Sequence, residues 1–157
     1  MSGDQTVQPL YFEDLPVGRR VTTGSLVIDA AAIKEFAARF DPQPFHLDEA
    51  AAANTFFGEL VASGWHTAAL TMRLLVTSGL PIAGGVIGAG GEVQWPRPTR
   101  PGDELTVVSE VIAAKPSTSR LNRGMVTVRS ETRNQAGEVL QIMTARLVVP
   151  RRPAPLA

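Results

Sequence analysis

Cysteine is absent from the 157-residue chain, which excludes disulfides, thiolate nucleophiles, Fe–S clusters and Cys-ligated zinc. Charge imbalance is absent too. Lys plus Arg number 15 and Asp plus Glu number 15, so no single-sign field draws in nucleic acid by counterion release. No uninterrupted run of about 18 apolar residues occurs, as a membrane-spanning helix would need. The opening MSGDQTVQPLYFEDLP has neither the basic n-region nor the apolar h-region of a secretory leader. These absences lead us to expect a cytoplasmic protein with neither a nucleic-acid nor a membrane partner.

What is present suits one folded domain. Apolar residues make up 44% and charged ones 19%, with six Phe and two Trp as large core pieces. A chain of this length buries about 68–70% of the surface its unfolded form exposes. No repeat, linker or composition shift divides it. A single domain over residues 1–157 is expected, with flexible tails at 1–9 and 150–157, the latter being the proline-rich PRRPAPLA.

Arg20 to Ile28, rich in β-branched residues after the turn Leu15-Pro16-Val17-Gly18, reads as a strand. Asp29 offers a helix N-cap. Behind it Ile33, Phe36, Ala37 and Phe40 fall at i, i+3, i+4 and i+7, an amphipathic helix that Pro42 ends at Asp41. A short helix capped by Asp48 follows to about Asn54. Ser63 to Ser78 is apolar almost all round the helical wheel and predicts a buried central helix, started by Ser63 and stopped by Gly79 and Pro81. Val86–Trp95, Glu104–Ala113, Gly124–Thr132 and Val139–Val149 then read as four strands in a meander. The sum is an α+β domain, one buried helix wrapped by one curved antiparallel sheet. Exposed sheet edge and helix surface predict a homodimer or a dimer of dimers.

The chain has two histidines, and His46 lies with Asp41 on a loop held by Pro42 and Pro44. A carboxylate and an imidazole kept within reach of one water make an acid–base pair. The same residues also suit a helix-ending Asp and a structural His. Ser63-Gly64-Trp65 opens the central helix, where first-turn amides lack intrahelical partners and the dipole is positive. Gly64 leaves those amides open to a carbonyl oxygen, as in an oxyanion hole, although a plain Ser cap reads identically.

Phe40-Asp41-Pro42-Gln43-Pro44-Phe45-His46-Leu47-Asp48, with Phe57-Gly58 and Leu60-Val61-Ala62-Ser63-Gly64, resembles the hydratase motif of the MaoC-like, (R)-specific enoyl-CoA hydratase family of the hotdog fold. That motif runs Asp-x-Asn-Pro-x-His. Trp95-Pro96-Arg97-Pro98 and Pro101-Gly102-Asp103-Glu104-Leu105 extend the likeness, which spans Phe12 to Val149. It implies a hotdog fold and a lyase that adds water to a trans-2-enoyl thioester, giving an (R)-3-hydroxyacyl product. Asp41 and His46 would be the catalytic pair, and Ser63, Gly64, Trp65 and Gln43 would meet the substrate. No cofactor or metal is implied beyond the coenzyme A or acyl carrier of the substrate itself. Gln43 stands where the family usually has Asn, Ser63 where a His commonly precedes the glycine, and Met72 where a typical hydratase has Ser.

Two rivals share this fold: an acyl-CoA thioesterase and a non-catalytic acyl-thioester-binding or partner subunit. A metal site from Asp41, His46, Asp48 and His66 lacks ligand spacing. The glycines at 84, 85, 88, 90 and 91 miss the dinucleotide pattern and lead into a strand, which suits a bend or a close backbone approach. Arg97, Arg100, Arg120 and Arg123 are candidates for the phosphates of coenzyme A, or simply a solvated face.

Overall fold

A computed structural model describes residues 6–156. After a single 3-10 turn at Phe12–Asp14, strand β1 (Arg20–Val27) leads into helix α1 (Ala30–Phe40), and two one-turn helices follow, α2 (Pro44–Leu47) and α3 (Glu49–Ala52). The long helix α4 (Gly64–Ser78) precedes β2 (Ile87–Gln94), β3 (Glu104–Pro116), β4 (Arg123–Arg133) and β5 (Val139–Pro150). The expected caps are in place. Asp29 accepts from the Ala32 amide at 2.8 Å, Asp48 from Ala51 at 2.8 Å and Ser63 from Trp65 at 3.3 Å, so each helix start spends a side-chain oxygen on an otherwise orphaned donor. Helix α2 lies where a loop was expected. Pro44 occupies its first turn, where a missing N–H costs nothing and the fixed φ favours helix.

The strands form one antiparallel sheet in the order β1-β3-β4-β5-β2. This is the hotdog architecture, a curved sheet against a long helix. Only β3, β4 and β5 form a meander, which corrects the expectation of four strands in sequence. β2 pairs with β5 at the far edge, Glu92 opposite Thr144 and Gln94 opposite Ile142. The reason lies in the connection after β2, where Pro96, Pro98 and Pro101 cannot form a tight ladder-continuing hairpin. The segment instead crosses the end of the sheet, and its Thr99 carbonyl accepts from the Ala62 amide at 2.8 Å. The glycines of β2 permit close approach: the register slips between Gly88 and Gly90, and a Cβ on Gly91 would collide with the β5 backbone at Thr144.

Burial along β4 alternates strictly, the period expected of a strand with one face on a core. The inward row changes chemistry along its length. Val126 and Val128 join Leu74, Leu75, Leu105, Val107, Val111, Leu140, Leu147 and Val149 in an aliphatic core. Further along, Ser130 and Thr132 are buried beside Ser109 and Gln141. α4 is not buried all round. His66, Thr67, Thr71, Leu74 and Leu75 face inward, while Trp65 is 61%, Met72 40% and Val76 50% exposed. One curved sheet covers one side of a helix, and among the described residues no second layer reaches the other. No helix among the described residues is long and apolar enough to cross a membrane.

At the chain's C-terminal end, Arg151 pairs with Glu13 at 3.0 Å and Arg152 with Asp14 at 2.6 Å. Part of the stretch expected to be a loose tail is therefore tied to the turn before β1. Residues 1–5 and 157 of the two expected tails lie outside the described residues.

Candidate active site

Asp41 is the residue at which α1 stops, its amide bonded to the Ala37 carbonyl at 2.9 Å. One turn of α2 then brings His46 back beside it. His46 Nε2 lies 3.2 Å from Asp41 Oδ2, and Nδ1 lies 2.7 Å from the Val61 carbonyl oxygen. A carbonyl only accepts, so Nδ1 carries a proton and donates it. This fixes the ring and leaves Nε2 as the nitrogen that faces the carboxylate. The imidazole is 5% exposed, and Phe45 stacks edge-on against it with ring centroids 4.5 Å apart.

The carboxylate is held as firmly. Ser63 Oγ donates to Asp41 Oδ2 at 2.7 Å and Gln43 Nε2 donates to Oδ1 at 2.6 Å. Burial works to raise the Asp41 pKa, but the hydrogen bonds from Ser63 and Gln43, with the charge and hydrogen bond of His46, outweigh it and hold the carboxyl below its ordinary value. Asp41 is therefore an anion at neutral pH.

Asp41, Gln43, His46, Gly64 and Trp65 line one cavity of about 530 Å³. Phe45, Phe56, Phe57, Val61, Ala62 and the crossing segment Trp95–Pro98 complete it. Gly64 opens α4 there, and among the described residues its N–H has no acceptor. An outward-facing amide at a helix start can receive a developing negative charge.

Two residues expected to meet the substrate bond to Asp41. The single hydroxyl proton of Ser63 goes to Asp41, and the Gln43 amide goes to the same carboxylate, so both residues hold the Asp41 side chain. Trp65 lines the cavity, with its ring edge-on to Trp95 at 5.2 Å. The loose metal grouping is pulled apart: Asp48 is spent on its helix cap, and His66 lies flat on Phe36 with centroids 4.5 Å apart. Of the four arginines considered for phosphates, Arg97 alone lines the cavity, and it pairs with Glu138 at 3.2 Å. Arg100 is taken by Glu59.

Three contributors escaped the sequence reading. The Val61 carbonyl acts through backbone, which no residue pattern announces. Trp95 carries the pattern of a strand residue, and Gln141 belongs to no motif. A polar residue inside the apolar run Val139-Leu140-Gln141-Ile142 was the available signal.

The family described as MaoC like domain matches residues 13–134. A crystal structure of a MaoC-like dehydratase from Rhodospirillum rubrum is 62% identical, covers 92% of this chain and 99% of its own, and superposes with a TM-score of 0.90. The R-hydratase PhaJ1 of Pseudomonas aeruginosa is 32% identical over 96% of each chain, with a TM-score of 0.73. The 3-hydroxybutyryl-CoA dehydratase of Methylorubrum extorquens is 36% identical over 116 residues, 71% of this chain and 69% of that protein.

Proposed function

This chain belongs to the MaoC-like domain family, and from that premise we propose that it hydrates trans-2-enoyl-CoA thioesters, giving (R)-3-hydroxyacyl-CoA, and catalyses the reverse dehydration. The observation that carries this reading is the locked pair: an imidazole whose Nδ1 is held by Val61, facing a carboxylate anion within the same cavity as an open helix start. The names of the Pseudomonas R-hydratase and the Methylorubrum dehydratase favour the reaction and its stereochemistry.

In this mechanism a water binds on the cavity side of the Asp41–His46 contact, within reach of both the carboxylate and His46 Nε2. Asp41 takes its proton as the oxygen bonds to C3 of the substrate. The π pair moves through C2 to the thioester oxygen, which rests against the Gly64 N–H as an enolate. His46 relays the proton to C2. One H and one OH are added, nothing is oxidised, and the thioester bond stays intact.

The working unit in this proposal is a homodimer. The outward side of α4 carries Trp65, Met72 and Val76, and β2 is paired on one side only, at the edge of the sheet. Both are surfaces that a second copy would cover.

The deciding experiment is incubation of the pure protein with a series from crotonyl-CoA to octenoyl-CoA, following enoyl absorbance and free thiol together. Loss of absorbance without thiol release is expected. Thiol release would make the protein a thioesterase, and neither signal would make it a binding subunit.

A further inference from the structure

Trp95 forms one wall of the cavity, and behind that ring stands a row of hydrogen-bonded side chains, Gln141, Thr71 and Thr132. An indole N–H only donates, so the 2.9 Å contact from Trp95 Nε1 to Gln141 fixes the amide with its oxygen toward the ring. Gln141 Nε2 must then point the other way, and it donates to Thr71 Oγ1 at 3.1 Å. Thr71 gives its own proton to the Thr67 carbonyl at 2.8 Å, so its 2.5 Å contact with Thr132 is one that Thr132 donates. Gln141, Thr71 and Thr132 are each 0% exposed, and none of them lines the cavity.

The other side of the indole is fixed as tightly. A Cβ built on Gly64 would lie 2.6 Å from Trp95 Cε2 and 2.9 Å from both Cδ2 and Cζ2. The benzo ring therefore rests directly on the Gly64 backbone, a packing that a side chain at position 64 would prevent. Trp65 meets the ring edge-on. The indole is thus held through its N–H and packed on its face beside the amide proposed to receive the thioester oxygen.

Resting on the hydratase reading, we infer that Trp95, anchored by Gln141, is the acyl-chain stop of this site and restricts it to short enoyl thioesters. A chain extending past the reacting carbons meets the indole. To go further it must displace a ring whose departure would leave the Gln141 oxygen buried and unpaired, an outcome that costs the full desolvation of that group. The hydroxyl row behind Trp95 offers no apolar channel in compensation.

The test compares kcat/KM for crotonyl-CoA and octenoyl-CoA in the wild type, Trp95→Ala and Trp95→Phe. Calorimetric Kd values for the unreactive butyryl-CoA and octanoyl-CoA are measured beside them. The wild type is expected to favour the shorter member of each pair. Trp95→Ala should shift both ratios toward the longer member by about 10-fold or more, within the discrimination that apolar pockets show for added methylenes. Trp95→Phe, which loses the N–H but keeps a ring, should shift them less, and it decides the matter if the alanine variant does not fold. Folded variants with unchanged ratios would overturn the inference while leaving hydration standing. Shifted Kd ratios without turnover would overturn the hydratase reading and keep the chain stop. If no thioester binds, both fall.

Discussion

Ser63 gives its only hydroxyl proton to Asp41 and, with the same oxygen, accepts from the Trp65 amide. A helix cap and a carboxylate anchor are thereby one side chain. The start of α4 and the Asp41 carboxylate cannot move independently, and the cavity inherits its geometry from that connection. Replacing Ser63 with Ala removes both bonds. Hydrogen bonds to charged groups contribute about 1.5–3 kcal/mol, so the hydration rate should fall roughly 10- to 150-fold. Loss of the cap should cost about 1 kcal/mol of stability. Ser63→Thr, which keeps the hydroxyl, should recover most of both, and kinetics with thermal melts on the two variants would expose a purely structural Ser63 as equal losses of rate and fold.

Asp41→Asn keeps the shape of the side chain and removes the proposed base. A missing general acid–base group costs about 10²- to 10⁴-fold in rate. Circular dichroism should show an intact fold, and near wild-type hydration by this variant would remove Asp41 from the mechanism.

The pH dependence follows from the direction of the Asp41 shift. Its folded pKa is depressed, so the stability it contributes is present above the unfolded value of about 3.9 and is lost as pH falls through the lower folded value. The acid limb of kcat/KM that belongs to Asp41 should lie below the ordinary carboxylate range. In Ser63→Ala that limb should move to higher pH, because a hydrogen bond favouring the anion is gone. An acid limb that stays put in the variant would argue that Ser63 does not hold the anion.

Gly64→Ala tests packing as well as chemistry. The new methyl group collides with the Trp95 ring, and overpacking of this kind costs typically about 1–3 kcal/mol. In the Trp95→Ala background the same Gly64→Ala change should cost little further melting temperature, since the partner in the collision is already gone. If the double variant is destabilised by the simple sum of the single changes, the two residues are not coupled as their contact requires.

His66 carries a second pH signature. Its Nδ1 is buried without a hydrogen-bond partner among the described residues, and desolvation lowers its pKa. The neutral ring is what the fold accepts, so stability is fullest above the unfolded value of about 6.5 and declines as pH falls toward the lower folded value. His66→Phe should flatten the fall in Tm over that window, as measured by melts at closely spaced pH. A variant with the same slope as wild type would place the acid sensitivity elsewhere.

Local signals made much of the fold legible. Asp29, Asp48 and Ser63 marked helix starts because each precedes a run with helical spacing, and Asp41 and His46 stood out through the prolines between them. What sequence periodicity could not reveal was partnership. Alternation tells which face of β2 turns inward but not that its neighbour is β5. The apolar wheel of α4 reads as complete burial because the pattern cannot tell core from apolar side chains left exposed, as Trp65, Met72 and Val76 are. At the site, Asp41 and His46 were visible as chemistry, whereas the Val61 carbonyl was invisible and Ser63 was assigned to the substrate. Deciding where one hydroxyl proton goes takes coordinates.

The position of β2 at the β5 edge sets an order of events during synthesis. Asp41, His46 and Ser63 all leave the ribosome well before Val139, where β5 begins. The strand that carries the chain to Trp95 has no ladder partner until β5 exists, and the indole has no acceptor until Gln141 is made. A nascent chain therefore holds Asp41 and His46 long before it holds the Gln141 acceptor that fixes the Trp95 wall of the cavity. Such a late, non-local pairing lengthens the interval in which aromatic surface is open to other contacts. The last strand to be translated is the one that completes the site.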